Sequence, residues 1–562
     1  MRKVVGVSVV MLLAVAAFVV MDSHRADAQR QAGMPGSFEE ARNAYQQHLG
    51  RPSSYIRTRS AERMASFRQQ EGFDLLVQRY QRLPDGPDEV VRHTTASICG
   101  EFYDNEQFVE TWEEWLARSG RTNDSWLWFH GQRIRARHGQ LDEVLHQLER
   151  ERDVFLRAAT LEALGATGRP EALEAIPQLL GDRMRGSRIE QGVLIEACAS
   201  VLYRMRHELG SELYKEAATH VIQKLGERRV PDRTKLVIAR HLKEIFNEPE
   251  AHDDVHAWMR SLERGTRGDE GGHQGPTRVE FMDIPAVGDR VVFLIDTSDS
   301  MLVPLSEEEE EELRGPVTGG GRDRDSEDEL PWDKINNRFE LAREELKRTV
   351  GNLPDDLYFT VVVYGDEAEL LDSTPRLVQA NSRVKRAVIA ELDAIKAGPA
   401  RDTGDHMRRQ YGTLNGNTNI HGAFLKAFRV TTRGVLREDE HVNTQGFENG
   451  ADTIFLLSDA APSVDSFMQV DRREPEDMAG DPEYRRRAED QSATHLRYPG
   501  PYVRRLHQIN HLIEDVRRMN LHRKAEIHTI GMGAFDPGLL EAFAQVGMGQ
   551  FRPLTEGHQG FD

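Results

Sequence analysis

Read from its N-terminus, the chain changes periodicity part-way along. From about residue 56 to 262, apolar positions recur at three- and four-residue spacing in one segment after another, the signature of amphipathic helices. In VFLRAATLEALGATGRPEALEAIPQLLGD (154–182), Leu156, Ala159, Leu161 and Leu164 form one stripe; Leu173, Ile176, Leu179 and Leu180 form a second, with a break at Gly165 to Pro170. The same pattern predicts helices at 90–102, 126–139, 193–205 and 235–246. From 279 the grammar becomes strand–helix alternation. VVFLID (291–296), LYFTVVVYG (357–365), TIFLLSD (453–459) and AEIHTIGMG (525–533) are apolar runs. Helical stripes fall at 335–350, 383–395, 419–430, 502–519 and 537–547. Strands apolar on both faces and separated by helices predict an α/β domain, a doubly wound, mainly parallel sheet covered on both sides.

The N-terminal helix pairs recur at a spacing of roughly 30–40 residues, a period at which pairs stack because one pair cannot bury its apolar face alone. This region resembles HEAT-type repeats, which implies an all-α solenoid; the alternative is an irregular α-bundle. The organisation expected is therefore a signal peptide (1–28), an N-terminal segment (29–55), a HEAT-like helical domain (56–262), a flexible linker (263–278) and an α/β domain (279–557) with insertions at 301–333 and 463–500. The linker, ERGTRGDEGGHQGPT, is Gly-rich and polar. It contains Arg267-Gly268-Asp269, an adhesion tripeptide too short to argue from by itself. The insertions lack apolar periodicity and read as loops.

The first residues add a location. Arg2 and Lys3 precede an apolar run from Val4 to Met21, and Ala26-Asp27-Ala28 has the form of a cleavage site. That is a secretory signal, which places the mature chain in the periplasm, the cell envelope or outside the cell; the other reading is an uncleaved N-terminal anchor. No later segment is apolar enough to span a membrane. The formal net charge of −20 over 562 residues speaks against a nucleic-acid partner, which demands clustered Lys and Arg. Cys99 and Cys198 both sit in apolar helical patterns and read as small buried hydrophobes.

Ligands of open parallel sheets bind at the carboxyl ends of the strands. Three polar clusters fall there: Asp296, Ser298 and Ser300 after the first strand, Thr418 at a helix start, and Asp459 after TIFLLS. Two carboxylates and three hydroxyls, with no Cys or His, form a hard-oxygen set suited to Mg²⁺, or to Mn²⁺ or Ca²⁺, rather than zinc. Largely neutral ligands leave such a cation with residual charge and an open position, for which a partner's carboxylate is the natural ligand.

These motifs resemble the von Willebrand factor type A domain. Its metal-ion-dependent adhesion site is written D-x-S-x-S, then Thr, then Asp, and the matching positions are Asp296, Ser298, Ser300, Thr418 and Asp459, within FLIDTSDSM, NTNIHGA and LLSDAAPS. The resemblance covers about 279–555. It implies a binding protein rather than an enzyme: an exported chain that holds Mg²⁺ or a similar cation and, through it, an Asp or Glu carboxylate of a protein ligand. Asp299, Asn417 and Ala460 stand where the family often has glycine.

Rival chemistries fit less well. Aspartate-nucleophile phosphatases resemble D-x-D, whereas Ser298 occupies the second acidic position here, so the proton-transfer group is missing. G-x-x-x-x-G-K-[ST], H-E-x-x-H and G-x-S-x-G are all absent. His421 follows the threonine segment and is weighed as a rim residue, against the plainer role of a solvated or capping histidine. In the alternative functional reading, the solenoid carries partner binding and the metal domain only braces it. Glu307–Glu312 lie within a segment (Asp299–Leu330) with twelve acids and three arginines. It reads as a solvated loop, or as an internal glutamate pseudo-ligand for the metal.

Overall fold

The computed structural model describes residues 37–49, 54–83, 89–181, 184, 186–247, 254–265, 278–306, 310, 330–398, 416–438, 440–459, 462, 506–533 and 535–554. The expected signal peptide, residues 266–277 of the linker with Arg267-Gly268-Asp269, most of the acidic run and the whole 463–500 insertion lie outside those residues. No helix among the described residues is long and apolar enough to cross a membrane.

The chain divides into two compact units. One holds α1 (Phe38–His48), α2 (Ser54–Ala65) and α3 (Gln70–Tyr80). The Ser37 side chain accepts from Glu40 N and starts α1, and Arg42 on α1 reaches Glu71 on α3 at 2.7 Å.

The second unit begins with helices: α4 (Glu89–Phe102), α5 (Val109–Arg118), α6 (Ser125–Arg137), α7 (Leu141–Arg150), α8 (Val154–Thr167), α9 (Glu171–Leu179), α10 (Arg188–Arg204), α11 (Glu212–Gln223), α12 (Asp232–Phe246) and α13 (Val255–Arg264). The predicted pair at 154–182 is α8 and α9. Asp153 caps α8 by accepting from Phe155 N and Leu156 N, and Gly168 ends it in the left-handed region at φ 69°. Both stripes read from the sequence are buried. A Ser187–Glu190 capping box opens α10. Cys99 and Cys198 are buried free thiols whose pKa values burial pushes up.

The α/β part follows: β1 (Val279–Phe281), β2 (Ile284–Ala286), β3 (Arg290–Asp296), α14 (Arg338–Asn352), β4 (Tyr358–Tyr364), β5 (Ala368–Leu370), β6 (Val378–Gln379), α15 (Ser382–Ala394), α16 (Ile420–Arg429), β7 (Val430–Thr431), β8 (Gly434–Val435), α17 (Thr444–Asn449), β9 (Thr453–Ser458), α18 (Leu506–Arg523), β10 (Glu526–Gly531), α19 (Pro537–Gly547) and β11 (Phe551–Pro553). The main sheet runs β11-β10-β9-β3-β4-β5, with β6 also beside β4. Its pairs are parallel except β4 with β5 and with β6.

Successive strand residues face opposite layers. Val291, Phe293 and Ile295 join Phe359, Val361, Phe455 and Leu457 in the core under α14 and α15. Val292 and Leu294 join Val362, Ile454 and Leu456 in the core under α16, α18 and α19. The chain is thus a helical region followed by a mainly parallel α/β sheet. Two predicted boundaries shift. The stripe from Ile335 starts as a helix only at Arg338, because the Asn337 side chain caps there by accepting from Glu340 N. The 502–519 helix continues to Arg523.

Within this unit the helices meet the sheet region through buried charge. Phe155 on α8 packs on Phe447 of α17 and His522 of α18, with ring centroids 5.5 and 5.4 Å away. Around these rings, Lys524 Nζ donates to Glu162 Oε1 at 2.5 Å and to Ser200 Oγ at 3.3 Å. Arg233, held by Glu196 at 2.7 Å, donates to Arg523 O, and Arg240 donates to Lys524 O. Breaking a buried pair strands its partner's charge and costs about 3–5 kcal/mol, whereas replacing both members costs little. Glu162→Ala is therefore expected to lower unfolding free energy by about 3–5 kcal/mol in a denaturant titration, and Glu162→Ala/Lys524→Met to recover most of it.

Burial also lowers the pKa values of His93, His130, His441 and His522, and takes His241 from 6.5 to about 3. Glu526 lies at about 2, because His528 and Arg240 outweigh its burial. The unfolded chain then takes up protons near pH 6.5 that the folded chain refuses. This stability is complete above about pH 6.5 and lost as pH falls towards about 3. Thermal unfolding followed by circular dichroism is expected to show a melting temperature that drops steadily below pH 6.5; a constant value down to pH 4.5 would contradict it.

Candidate metal centre

The centre starts from strand order. β3 lies between β4 and β9, so their carboxyl ends share one edge. β3 ends at Asp296, opposite Tyr364 of β4, and β9 ends at Ser458. Past the last ladder pairs, the chain is tied down bond by bond. Thr297 donates from N and from Oγ1 to Tyr364 O, at 2.8 and 2.9 Å. The Tyr364 hydroxyl donates to Leu457 O at 2.8 Å. Ser298 N donates to Asp296 Oδ1 at 2.9 Å, closing an Asx turn, and Ser458 Oγ donates to Asp296 Oδ2 at 2.9 Å.

Four of the five sequence-predicted residues form one chain of contacts. Asp296 accepts from the Ser298 backbone. Ser298 Oγ lies 3.0 Å from Ser300 Oγ, and Ser300 Oγ donates to Asp459 Oδ1 at 2.7 Å. Thr418 is buried at the mouth of α16, and its loop is pinned from both sides. Gly416 O accepts from Asp299 N at 3.0 Å. Asn417 Nδ2 donates to Asp366 Oδ1 at 2.5 Å, and Asn419 Nδ2 to Asp366 O at 3.1 Å.

The non-glycine residues noted in the motifs settle without left-handed backbone. Asp299 and Asn417 are not among the positive-φ residues; that conformation falls on Gly416, at φ 76°. A Cβ on Gly416 would overlap the Asp299 carboxylate. Ala460 lies outside the described residues. His421 is directed elsewhere, its Nε2 2.8 Å from Asp515 Oδ2 on α18.

Both carboxylates are raised above the usual carboxylate range. Burial leads in each case; for Asp296, at about 7, the neighbouring Asp459 charge adds to it. Ser300 and Arg338 pull Asp459 the other way; Arg338 Nη1 donates to Asp459 Oδ2 at 3.2 Å. Arg338, Ser458 and Asp366 were not singled out in the sequence. Ser458 precedes Asp459, and Asp366 follows an apolar strand, so the strand-end rule reaches both. Arg338 reads as one more charge at a helix start.

Among the described residues no group of three or more His, Cys, Asp or Glu is placed around a common point for a metal. The donors here are mostly hydroxyls. In an octahedron with bonds of about 2.0–2.1 Å, adjacent ligands are about 2.8–3.0 Å apart. The 3.0 Å Ser298–Ser300 separation falls on such an edge and the 2.7 Å Ser300–Asp459 separation lies just inside it, so these donors suit a small hard cation.

No family model matches the sequence, and no curated protein is detectably similar to it. Among solved structures, the chain is similar in part to proximal thread matrix protein 1 from the mussel byssus, a structure with a zinc-occupied MIDAS motif. The identity is 14%, the match covers 47% of this chain and 41% of that one, and the TM-score is 0.21. At that score the likeness carries no argument about the site.

Gly416→Ala is expected to destabilise the protein by at least about 1–2 kcal/mol, from the left-handed backbone alone. Gly210→Ala, with open space around its Cβ, should stay within about 0.5 kcal/mol of wild type in the same denaturant titration.

Proposed function

We propose that this chain is an exported, von Willebrand factor type A-like binding protein that holds a protein ligand through a divalent cation. Asp296, Ser298, Ser300, Thr418 and Asp459 would hold the cation, with Mg²⁺ the best match and Mn²⁺ or Ca²⁺ the alternatives. The observation that carries this reading is the oxygen-only chain from Asp296 to Asp459, drawn together from 159 residues apart in the case of Ser300 and Asp459. A bound Mg²⁺ would supply a Lewis-acidic position for an Asp or Glu carboxylate of the partner.

The chain's own residues set that position. Ser458 Oγ and Ser298 N hold both oxygens of Asp296 in one orientation, the outer support a ligating carboxylate needs. Two carboxylates balance a divalent charge, so a guanidinium at Asp459 leaves the rim net positive and able to accept an anion. Directly past Ser300, Leu302 and Val303 are 41% and 43% exposed, an apolar shelf beside the rim. A polar anchor beside exposed apolar surface is the make-up of a protein-binding face. Export rests on the N-terminal signal-like segment, and HEAT-like stacking on the helix pairs α8–α9 and α10–α11.

The second reading, with the helical region carrying the partner, is favoured by a polar cavity of about 300 Å³ lined by Arg188, Gln191, Lys224 and Glu227 among others. One experiment separates the two. The mature protein is immobilised and exposed to native envelope extract with Mg²⁺, with chelator, and as Asp296→Ala. Capture of a protein that is lost in both of the latter arms is expected. Capture that persists through chelation and Asp296→Ala would move binding to the helices.

A further inference from the structure

The arginine beside Asp459 is built into the fold. Arg338 is the first residue of α14, fixed by the Asn337 cap. Its N–H donates to Val303 O at 3.3 Å, in the segment that leaves Ser300. Its guanidinium lies over Gly533, the position after β10 and Met532, where any Cβ would overlap it. Its side chain is 12% exposed, and the Asp459 side chain it meets is 0% exposed. Asp459 is thereby bracketed. Oδ1 takes the Ser300 hydroxyl at 2.7 Å, and Oδ2 takes Arg338 Nη1 at 3.2 Å.

We infer that Arg338 is a resident cation of the site: it shares the Asp459 carboxylate with an entering metal and so sets the metal affinity. The inference rests on the metal-binding reading above and adds its regulation. An ion at the Ser298, Ser300 and Asp459 oxygens needs the charge on Asp459 that Arg338 already compensates. The guanidinium must then withdraw from Oδ2 or stay as a like charge beside the ion. Either course weakens metal binding relative to the same site without it. In either course the guanidinium stays near the rim, because the Arg338 backbone is held there by Val303 O. Gly533 provides the flat floor on which it sits, and Val303 O fixes the backbone from which it swings.

An arginine beside a carboxylate shifts that carboxylate's affinity for another cation, the proton, by about ten- to a thousandfold, and the same competition applies to a metal. The test is isothermal titration of the full mature chain with Mg²⁺ and with Mn²⁺, at fixed pH and ionic strength. The variants are Arg338→Gln, Arg338→Lys and Asp296→Ala, each paired with thermal unfolding in chelator and in excess metal. Arg338→Gln is expected to bind Mg²⁺ about tenfold or more tighter than wild type. Arg338→Lys should fall between them, because a point charge holds a carboxylate less firmly than a planar fork. In chelator, Arg338→Gln should melt below wild type, and Mg²⁺ should close the gap.

Affinity in Arg338→Gln equal to or weaker than wild type, with binding still abolished by Asp296→Ala, would overturn this inference and leave the metal site standing. Absence of metal binding in wild type and Arg338→Gln alike would remove both. Should Arg338→Gln fail to fold, Arg338→Lys decides: tighter binding than wild type supports the competition, and unchanged binding refutes it.

Discussion

Two carboxylates buried on neighbouring strands cannot both stay charged without something to share. Asp296 and Asp459 are in that position because β3 and β9 lie side by side and end together at one edge of the sheet. Burial and mutual repulsion both favour the neutral forms. Much of the local structure can be understood as the response. Ser298 N and Ser458 Oγ both donate to Asp296. Ser300 and Arg338 divide Asp459 between them. The Asn337 cap matters to the site because it fixes where α14 begins, and Arg338 is that beginning. A divalent cation of the kind proposed would answer the same charge problem from the centre, where the arginine answers it from one side.

A second set of buried polar and charged groups links the α/β part to the helical region of the same unit. From His421, one turn past Thr418, it passes to Asp515, then to Arg518, which reaches Glu440 at 2.7 Å and His441 at 3.2 Å. His441 in turn meets His93 on α4, ring to ring at 5.3 Å. Lys524, with its backbone in the left-handed region at φ 45°, turns the chain from α18 into β10 while its ammonium reaches Glu162. Such networks add little net stability compared with an apolar contact of equal area, but each member is costly to remove alone. They fix geometry: α16, which Thr418 precedes, and the helices of the N-terminal region are held through the same few side chains.

What the sequence revealed, and what it hid, follows from the range of the forces involved. The apolar runs of β3, β4, β9 and β10 were plain, because strands buried on both faces leave no polar alternation. The edge was obscure. β5, β6 and β11 are two or three residues long, and the β1–β2 hairpin is equally short, below the length at which periodicity is measurable. Asp296, Ser298, Ser300 and Asp459 were legible because a strand-end rule places them independently of tertiary detail. Arg338 was not, since nothing in RFELAREELKR marks which basic residue of an amphipathic helix turns inward. The buried Glu162 on α8 and Arg518 on α18 were hidden for the same reason. A charge on a helical stripe reads as solvated until the element covering it is known.

The overall charge and the site pull in opposite directions for a carboxylate-bearing partner. A chain of formal net charge −20 repels an acidic ligand at distance. At physiological salt, however, charges are screened beyond about 8 Å, so the decisive field is that of the rim. There, in the proposed binding mode, a divalent ion would match the charges of Asp296 and Asp459, Arg338 adds one more positive group, and Leu302 and Val303 stand exposed alongside. Repulsion at long range slows the approach of acidic proteins in general, while a rim that held the proposed cation would favour one that offers a carboxylate flanked by apolar side chains. Selectivity for such a ligand would then come from the difference between the two, because a partner lacking either element gains nothing against the repulsion.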